Sequence, residues 1–138
     1  MVKDIVKDID ILTQKSVKAT NNDEVEEVIR DLIDTAEAHK DRCVGLSAIQ
    51  IGVPLRICVV YNGERFIPFV NPVITKSFGE KYKVEEGCMS IDGKREVMRY
   101  ERIEVFWRSK NRFVKEKYKG FMAEIIQHEL DHFEGILI

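Results

Sequence analysis

Near the carboxyl end, the stretch IIQHELDHFEGILI sets two histidines four residues apart, His128 and His132, with Glu129 between them. On an α-helix, side chains at i and i+4 lie one above the other, so both imidazoles can reach one ion. Glu129, about 100° round the axis, leans over the same edge. A first-row cation held this way lowers the pKa of its bound water toward about 7, and an adjacent carboxylate can take the proton and pass it on. His-Glu-x-x-His is therefore a hydrolase signature with a mechanism behind it. The competing explanation is a pair of idle, solvated histidines. It fits poorly, because the rest of this helix is apolar and buried polar groups need partners.

Two histidines do not complete a coordination sphere. The remaining one, His39, sits among Glu37, Lys40 and Asp41 at the end of a helical run and reads as a favourable C-terminal charge. Zinc peptidases usually add a ligand downstream of the pair, where this sequence offers only Glu134, too near His132 for that arrangement. Upstream, VEEGCMSIDG places Cys88 beside a glycine where a β-rich run breaks. A thiolate there, with two imidazoles, would leave one position open for water. Cys43 and Cys58 read as small buried hydrophobes.

The elements that must position these groups follow from periodicity. Residues 21–40 put Val25, Val28, Ile29, Leu32, Ile33 and Ala36 on one helical face, with Asn21 or Asn22 as N-cap and acids in the first turn. From 55 to about 118 come short β-rich runs punctuated by Asn62-Gly63 and Asp92-Gly93, dipeptides suited to tight turns. After Gly120 the pattern returns to a helix with little that suits water, ending near Gly135. Strands that follow one another without intervening helices predict an α+β fold. Mostly antiparallel sheets would pack around a central C-terminal helix carrying the histidines, with a helix toward the N-terminus.

With 138 residues the chain has the size of one domain, 1–138, able to bury a core without structural metal. A hydrophobic content of 44% and a charged content of 33% are those of a globular protein in water, and the net charge of -2 gives no footprint for nucleic acid. The N-terminal residues lack the apolar run of an export signal, and ICVVY at 57–61 is far too short to span a bilayer, so no membrane is expected. An odd count of three cysteines fits reduced thiols and a cytoplasmic location.

Three motifs now stand in order: CVGLSAIQIG at 43–52, EEGCMS at 85–90 and QHELDH at 127–132. Together they resemble peptide deformylase, whose pattern runs Gly-x-Gly-Leu-Ala-Ala-x-Gln, Glu-Gly-Cys-x-Ser, Gln-His-Glu-x-Asp-His. The second and third match without exception, and the resemblance covers essentially the whole chain. It implies a hydrolase of protein biosynthesis and N-terminal processing that removes the formyl group from the formylmethionine of newly made proteins, releasing formate.

Residue by residue, the resemblance makes Cys88, His128 and His132 the ligands of one ion per chain, Fe²⁺ with Zn²⁺, Ni²⁺ or Co²⁺ as substitutes. Glu129 becomes the acid/base. Gln50 and the backbone N–H of Leu46 would stabilise the developing oxyanion, and Glu86, Ser90 and Gln127 would support the ligands. N-formylmethionyl peptides of nascent proteins would pair as an added strand with Val44, Gly45, Glu86 and Gly87. Met89, Phe121, Ile125 and His128 would form the methionine pocket, with a simple core role the equal alternative for Ile125.

Cys43 and Ser47 depart from the pattern, at the first glycine and first alanine positions, and Glu124 is unusual for the pocket rim. They support a rival reading, a catalytically impaired deformylase-like peptide-binding protein, against which the retention of Glu129 speaks. The C-terminal helix with which many members dock at the ribosome has no counterpart in the sequence, so that docking is left open, and a monomer or weak oligomer is expected.

Overall fold

The computed structural model describes residues 1–109 and 111–138. A single-turn helix α1 (Ile9–Leu12) precedes α2 (Asn22–Ala38). Asn21 caps α2 by accepting the Glu24 N–H at 3.1 Å, and Asp23 and Glu24 sit at the positive end of its dipole. Of the predicted stripe, Val25, Val28, Leu32 and Ala36 are buried, and Ile29 and Ile33 are half-buried at its margin. His39 closes the helix half-buried, its Nδ1 2.9 Å from the Thr35 carbonyl.

Strands β1 (Gly45–Ser47), β2 (Ile57–Tyr61), β3 (Phe66–Gly87), β4 (Lys94–Ser109) and β5 (Arg112–Lys119) form one antiparallel sheet in chain order. Its strands are longer than the sequence suggested. The β-rich runs RFIPFVNPVIT (65–75) and FGEKYKVEE (78–86) join in a β3 of 22 residues, because Lys76 and Ser77 between them pair with Glu104 and Ile103, and the ladder also passes irregularities of register near Asn71 and Gly79. Both take positive φ, and Asn71 is held there by hydrogen bonds of 2.8 and 2.9 Å to the N–H and carbonyl of Ala19.

In β2 the alternation of side chains gives each face its own core. Ile57 and Val59 pack with α2, while Cys58 and Val60 join Phe69, Ile103, Val105 and Ile126 beneath the last helix. That helix, α3 (Gly120–Phe133), packs against β1, β2, β4 and β5. It is stopped by Gly135 at φ 73, whose N–H donates to the His132 carbonyl at 3.1 Å. Among the described residues no helix is long and apolar enough to cross a membrane.

Candidate metal centre

Two elements from opposite ends of the fold meet here. α3 carries His128 and His132, both buried, with ring centroids 5.0 Å apart. The β3–β4 ladder ends at the Gly87–Lys94 rung, and the next residue, Cys88, directs its Sγ to within 3.5 Å of His132 Nε2. One donor atom from each of Cys88, His128 and His132 lies within 4.8 Å of the others. Bonds of about 2.3 Å to sulfur and about 2.0–2.1 Å to nitrogen at a tetrahedral ion set S and N about 3.5 Å apart, so the trio fits such an ion. The surroundings also favour a cation. Burial works against charge on His128, yet its hydrogen bonds to Cys88 and Glu86, with the nearby Glu129, lift its pKa to about 10. His132 is pulled down to about 3, first by burial and then by the positive charge of His128, and so is neutral and ready to ligate.

His128 is aimed by Glu86, whose Oε1 lies 2.8 Å from Nδ1 and leaves Nε2 for an ion. Glu86 is in turn gripped by Arg99 through two bonds of 3.0 and 2.7 Å, and Arg99 reaches Asp131 at 2.6 Å. Burial raises the Glu86 carboxyl, but hydrogen bonds with His128, Arg99 and Glu124 outweigh it and hold the pKa at about 2. Gln127 hydrogen-bonds to Tyr100 and Ala123. It clamps α3 to β4, accepting the Tyr100 N–H at 2.8 Å and donating to the Tyr100 carbonyl at 3.0 Å.

Gln50 stands in a 3-10 turn (Ala48–Ile51) after β1. Its Oε1 accepts the Ser47 N–H at 2.9 Å, which fixes the amide so that Nε2 faces Ser90 Oγ at 3.1 Å and Cys88 Sγ at 3.4 Å. Glu129 is buried beside the same cluster and takes a hydrogen bond of 2.9 Å from the Ser47 hydroxyl. Burial raises its pKa, partly offset by His128 and by that hydroxyl. Gly45 lies so close that a Cβ there would stand 2.6 Å from Glu129 Oε2 and 2.7 Å from Ile125 Cγ2. A cleft of about 570 Å³ opens over these groups, lined among others by Val44, Gly45, Glu86, Met89, Phe121 and Ile125.

Leu46, expected to offer its backbone N–H, is not among the residues that line this cleft. Tyr61 N–H donates to the Val44 carbonyl at 2.8 Å, and the ladder alternates from there, so Leu46 faces Val59 as an exchanging pair. Its N–H is turned into the sheet and away from any oxyanion. Gly45, one residue earlier, instead presents its N–H and carbonyl to the open edge of β1.

The sequence model of the family described as polypeptide deformylase matches residues 2–138. The chain belongs to this family. A peptide deformylase from Clostridium beijerinckii is 53% identical over the whole of both chains. The solved peptide deformylase of Thermotoga maritima superposes with a TM-score of 0.91 at 29% identity, covering 99% of this chain and 95% of that one. A class I type b peptide deformylase from Acinetobacter baumannii, solved with Met-Ala-Ser bound, gives 0.89 at 26% identity, covering 99% and 97%. The protein is thus a metallohydrolase that removes the formyl group from N-terminal methionine.

As a deformylase it carries two features that spacing could not reveal. Arg99 and Asp131 complete the Glu86 network, and only Asp131 had a signal, its place inside QHELDH. The hydroxyl of Ser47, in place of the usual alanine, bonds the Glu129 side chain. Cys43, in place of the usual glycine, is one of the residues lining the cleft. Its side chain is buried, the thiol donates to the Gly45 carbonyl at 3.3 Å, and burial pushes its pKa up to about 12, which keeps it protonated. Glu124 lines the cleft with its carboxyl raised to about 7, chiefly by burial and by sharing a hydrogen bond with Glu86.

Proposed function

We propose that Cys88, His128 and His132 hold the catalytic ion and that Glu129 and Gln50 carry out the proton and charge transfers of deformylation. One observation carries this reading: Gln50, Cys88, His128 and Glu129 line one cleft, and the buried His132 sets a donor atom within 4.8 Å of those of Cys88 and His128. Two imidazoles and a thiolate suit a borderline ion, and Fe²⁺ is the assignment, with Zn²⁺, Ni²⁺ or Co²⁺ able to replace it. When bound, the ion supplies Lewis acidity toward the formyl group and toward water. Glu129 takes the proton of the attacking water and delivers it to the departing amine nitrogen, so that formate and a free amino terminus result. Gln50 Nε2 donates to the formyl oxygen as negative charge grows there.

Around this centre, the open edge of β1 at Gly45 and the end of β3 at Glu86 and Gly87 offer backbone groups to an extended N-formylmethionyl peptide. Pairing of this kind ignores side chains and therefore suits many proteins. Met89, Phe121 and Ile125 receive the methionine side chain, with Glu124 at the rim. The chain acts as one catalytic unit, and the cytoplasm, where formylated chains are made, is its place of work.

Formate release from a formyl-Met tripeptide, measured on anaerobically purified protein with and without added Fe²⁺, tests this reading. Turnover that needs the ion supports it, and bound ion without formate overturns it. Two further results are expected in the same assay. Gly45→Ala pushes a methyl group into Glu129 and Ile125, and a misplacement of about 1 Å costs about 100-fold in kcat/KM with metal content unchanged. Ser47→Ala removes a hydrogen bond that favours the ionised Glu129, so the carboxyl pKa rises further. Because the base must be ionised, the acid limb of the pH–rate profile moves to higher pH, while activity above that limb is kept. An unmoved acid limb would count against Ser47 acting on Glu129.

A further inference from the structure

The net charge of -2 conceals a segregation. Residues 1–41 contain eleven Asp and Glu against six Lys and Arg, whereas residues 94–119 contain ten Lys and Arg against four Glu. Arg99 of this stretch is buried against Glu86, but Arg102, Lys115, Lys117 and Lys119 share one face of the sheet. α2 covers that face only over β1, β2 and the start of β3, leaving the β3–β4–β5 part without a helix. There the rungs Lys76–Glu104–Lys117 and Phe78–Arg102–Lys119 run across the three strands. Among the described residues, none of these four lysines and arginines on Lys76, Arg102, Lys117 and Lys119 belongs to an ion pair. The carboxylate in their midst, Glu104, is hydrogen-bonded by Thr75 at 2.8 Å.

Charges on an edge strand such as β5 also serve to block sheet-to-sheet aggregation. That role does not account for the aromatic rings among them. The neighbouring rung, Val73–Phe106–Lys115, brings in Phe106, whose ring stacks on Phe113 at 5.4 Å and 7° between planes, with Phe113 70% exposed. Phe78 has the Lys117 ammonium 5.2 Å and the Arg102 guanidinium 5.9 Å from its ring centroid. Along β5, Lys115, Lys117 and Lys119 stand at alternate positions, about 6.8 Å apart on one side of the strand.

Flat exposed rings between rows of unpaired cations are complementary to a strand with negative phosphates and unstacked bases. We propose that this face is a docking surface for single-stranded RNA, the polyanion beside which newly made proteins arise. Lysines neutralise phosphates, and Phe113 with Phe106 stacks bases, a mode that tolerates any sequence. The face lies across the sheet from α3 and the metal centre, so docked RNA leaves the cleft free.

The test is fluorescence anisotropy of a labelled mixed-sequence 15-nucleotide RNA against the metal-loaded protein over a range of salt. Lys76→Gln/Lys115→Gln/Lys117→Gln should lower the slope of log affinity against log salt by about 2, as expected for three phosphate contacts on a single strand. Phe113→Ala should weaken binding roughly 5- to 100-fold. Both variants should release formate from a short formyl-Met peptide at the wild-type rate, which shows that they fold. A duplex of the same sequence should bind less tightly, because its bases are already stacked. The proposal is overturned by no binding at about 50 mM salt, where such contacts are strong, or by binding that both variants retain. It is equally overturned by a duplex that binds as tightly, or by capture on phosphatidylserine vesicles without capture of RNA.

Discussion

Glu129→Gln is expected to lower kcat for formate release by about 10²- to 10⁴-fold, the usual contribution of a positioned acid/base group, while the protein keeps its ion. Glutamine has the shape of glutamate and cannot carry the proton from water to the amine. The fold should tolerate it, since the Ser47 hydroxyl that donates to Glu129 Oε1 at 2.9 Å can donate to an amide oxygen as well. Burial already disfavours a charge at this position, so the neutral amide brings no stability penalty of that kind. Glu129 is not one of the three clustered donors, so metal content should remain at one ion per chain. The measurement is kcat with a formyl-Met tripeptide, with elemental analysis on the same sample. Activity within about tenfold of wild type would remove Glu129 from the proton path.

Cys88→Ala should abolish activity by a different route, through loss of the ion itself. Two imidazoles remain, and where loss of an outer partner of a ligand already costs about 10- to 100-fold in affinity, loss of a ligand should cost more. Glu134→Ala is the informative companion. That carboxylate is engaged by Arg56 at 2.8 Å and Lys15 at 3.3 Å, away from the histidines it follows in sequence, and its removal should leave the ion in place. Metal content after gel filtration separates the two variants. A Cys88→Ala protein that retains stoichiometric metal, or a Glu134→Ala protein that loses it, would mean that the third ligand is misassigned.

The parts of this site that could be read in advance are those fixed by short-range geometry. Four residues of α-helix bring His128 and His132 to one side whatever the rest of the chain does, and the apolar residues around them mark the helix as interior. A cap at Asn21 or Asn22 and the stripe of α2 are legible for the same reason, whereas the burial of ICVVY on both faces is seen only in the packed sheet. Strand lengths were not legible either. The polar pair Lys76-Ser77 looks in sequence like a break between two strands, and only its pairing with Glu104 and Ile103 of β4 shows that the ladder runs through it.

Leu46 illustrates the same limit at a single atom. Whether a backbone N–H points into the ladder or out to the cleft depends on register, and register belongs to the pair of strands. The hydrogen bond from Tyr61 to Val44 decides it, leaving Gly45 at the open edge. Ser47 and Glu129 are 82 positions apart, and no spacing rule connects them, yet the close packing of β1 on α3 puts a hydroxyl on the carboxylate and excludes a side chain at Gly45.

By itself, then, the sequence determined which residue types could hold a metal, the helix that presents two of them and the family, since these depend on residue type and on periodicities of a few residues. The tertiary structure decided which N–H groups remain free, which side chains support Glu86 and Glu129, and where the positive charge gathers. Each of those depends on contacts between segments distant in the chain, and only packing brings them within reach of one another.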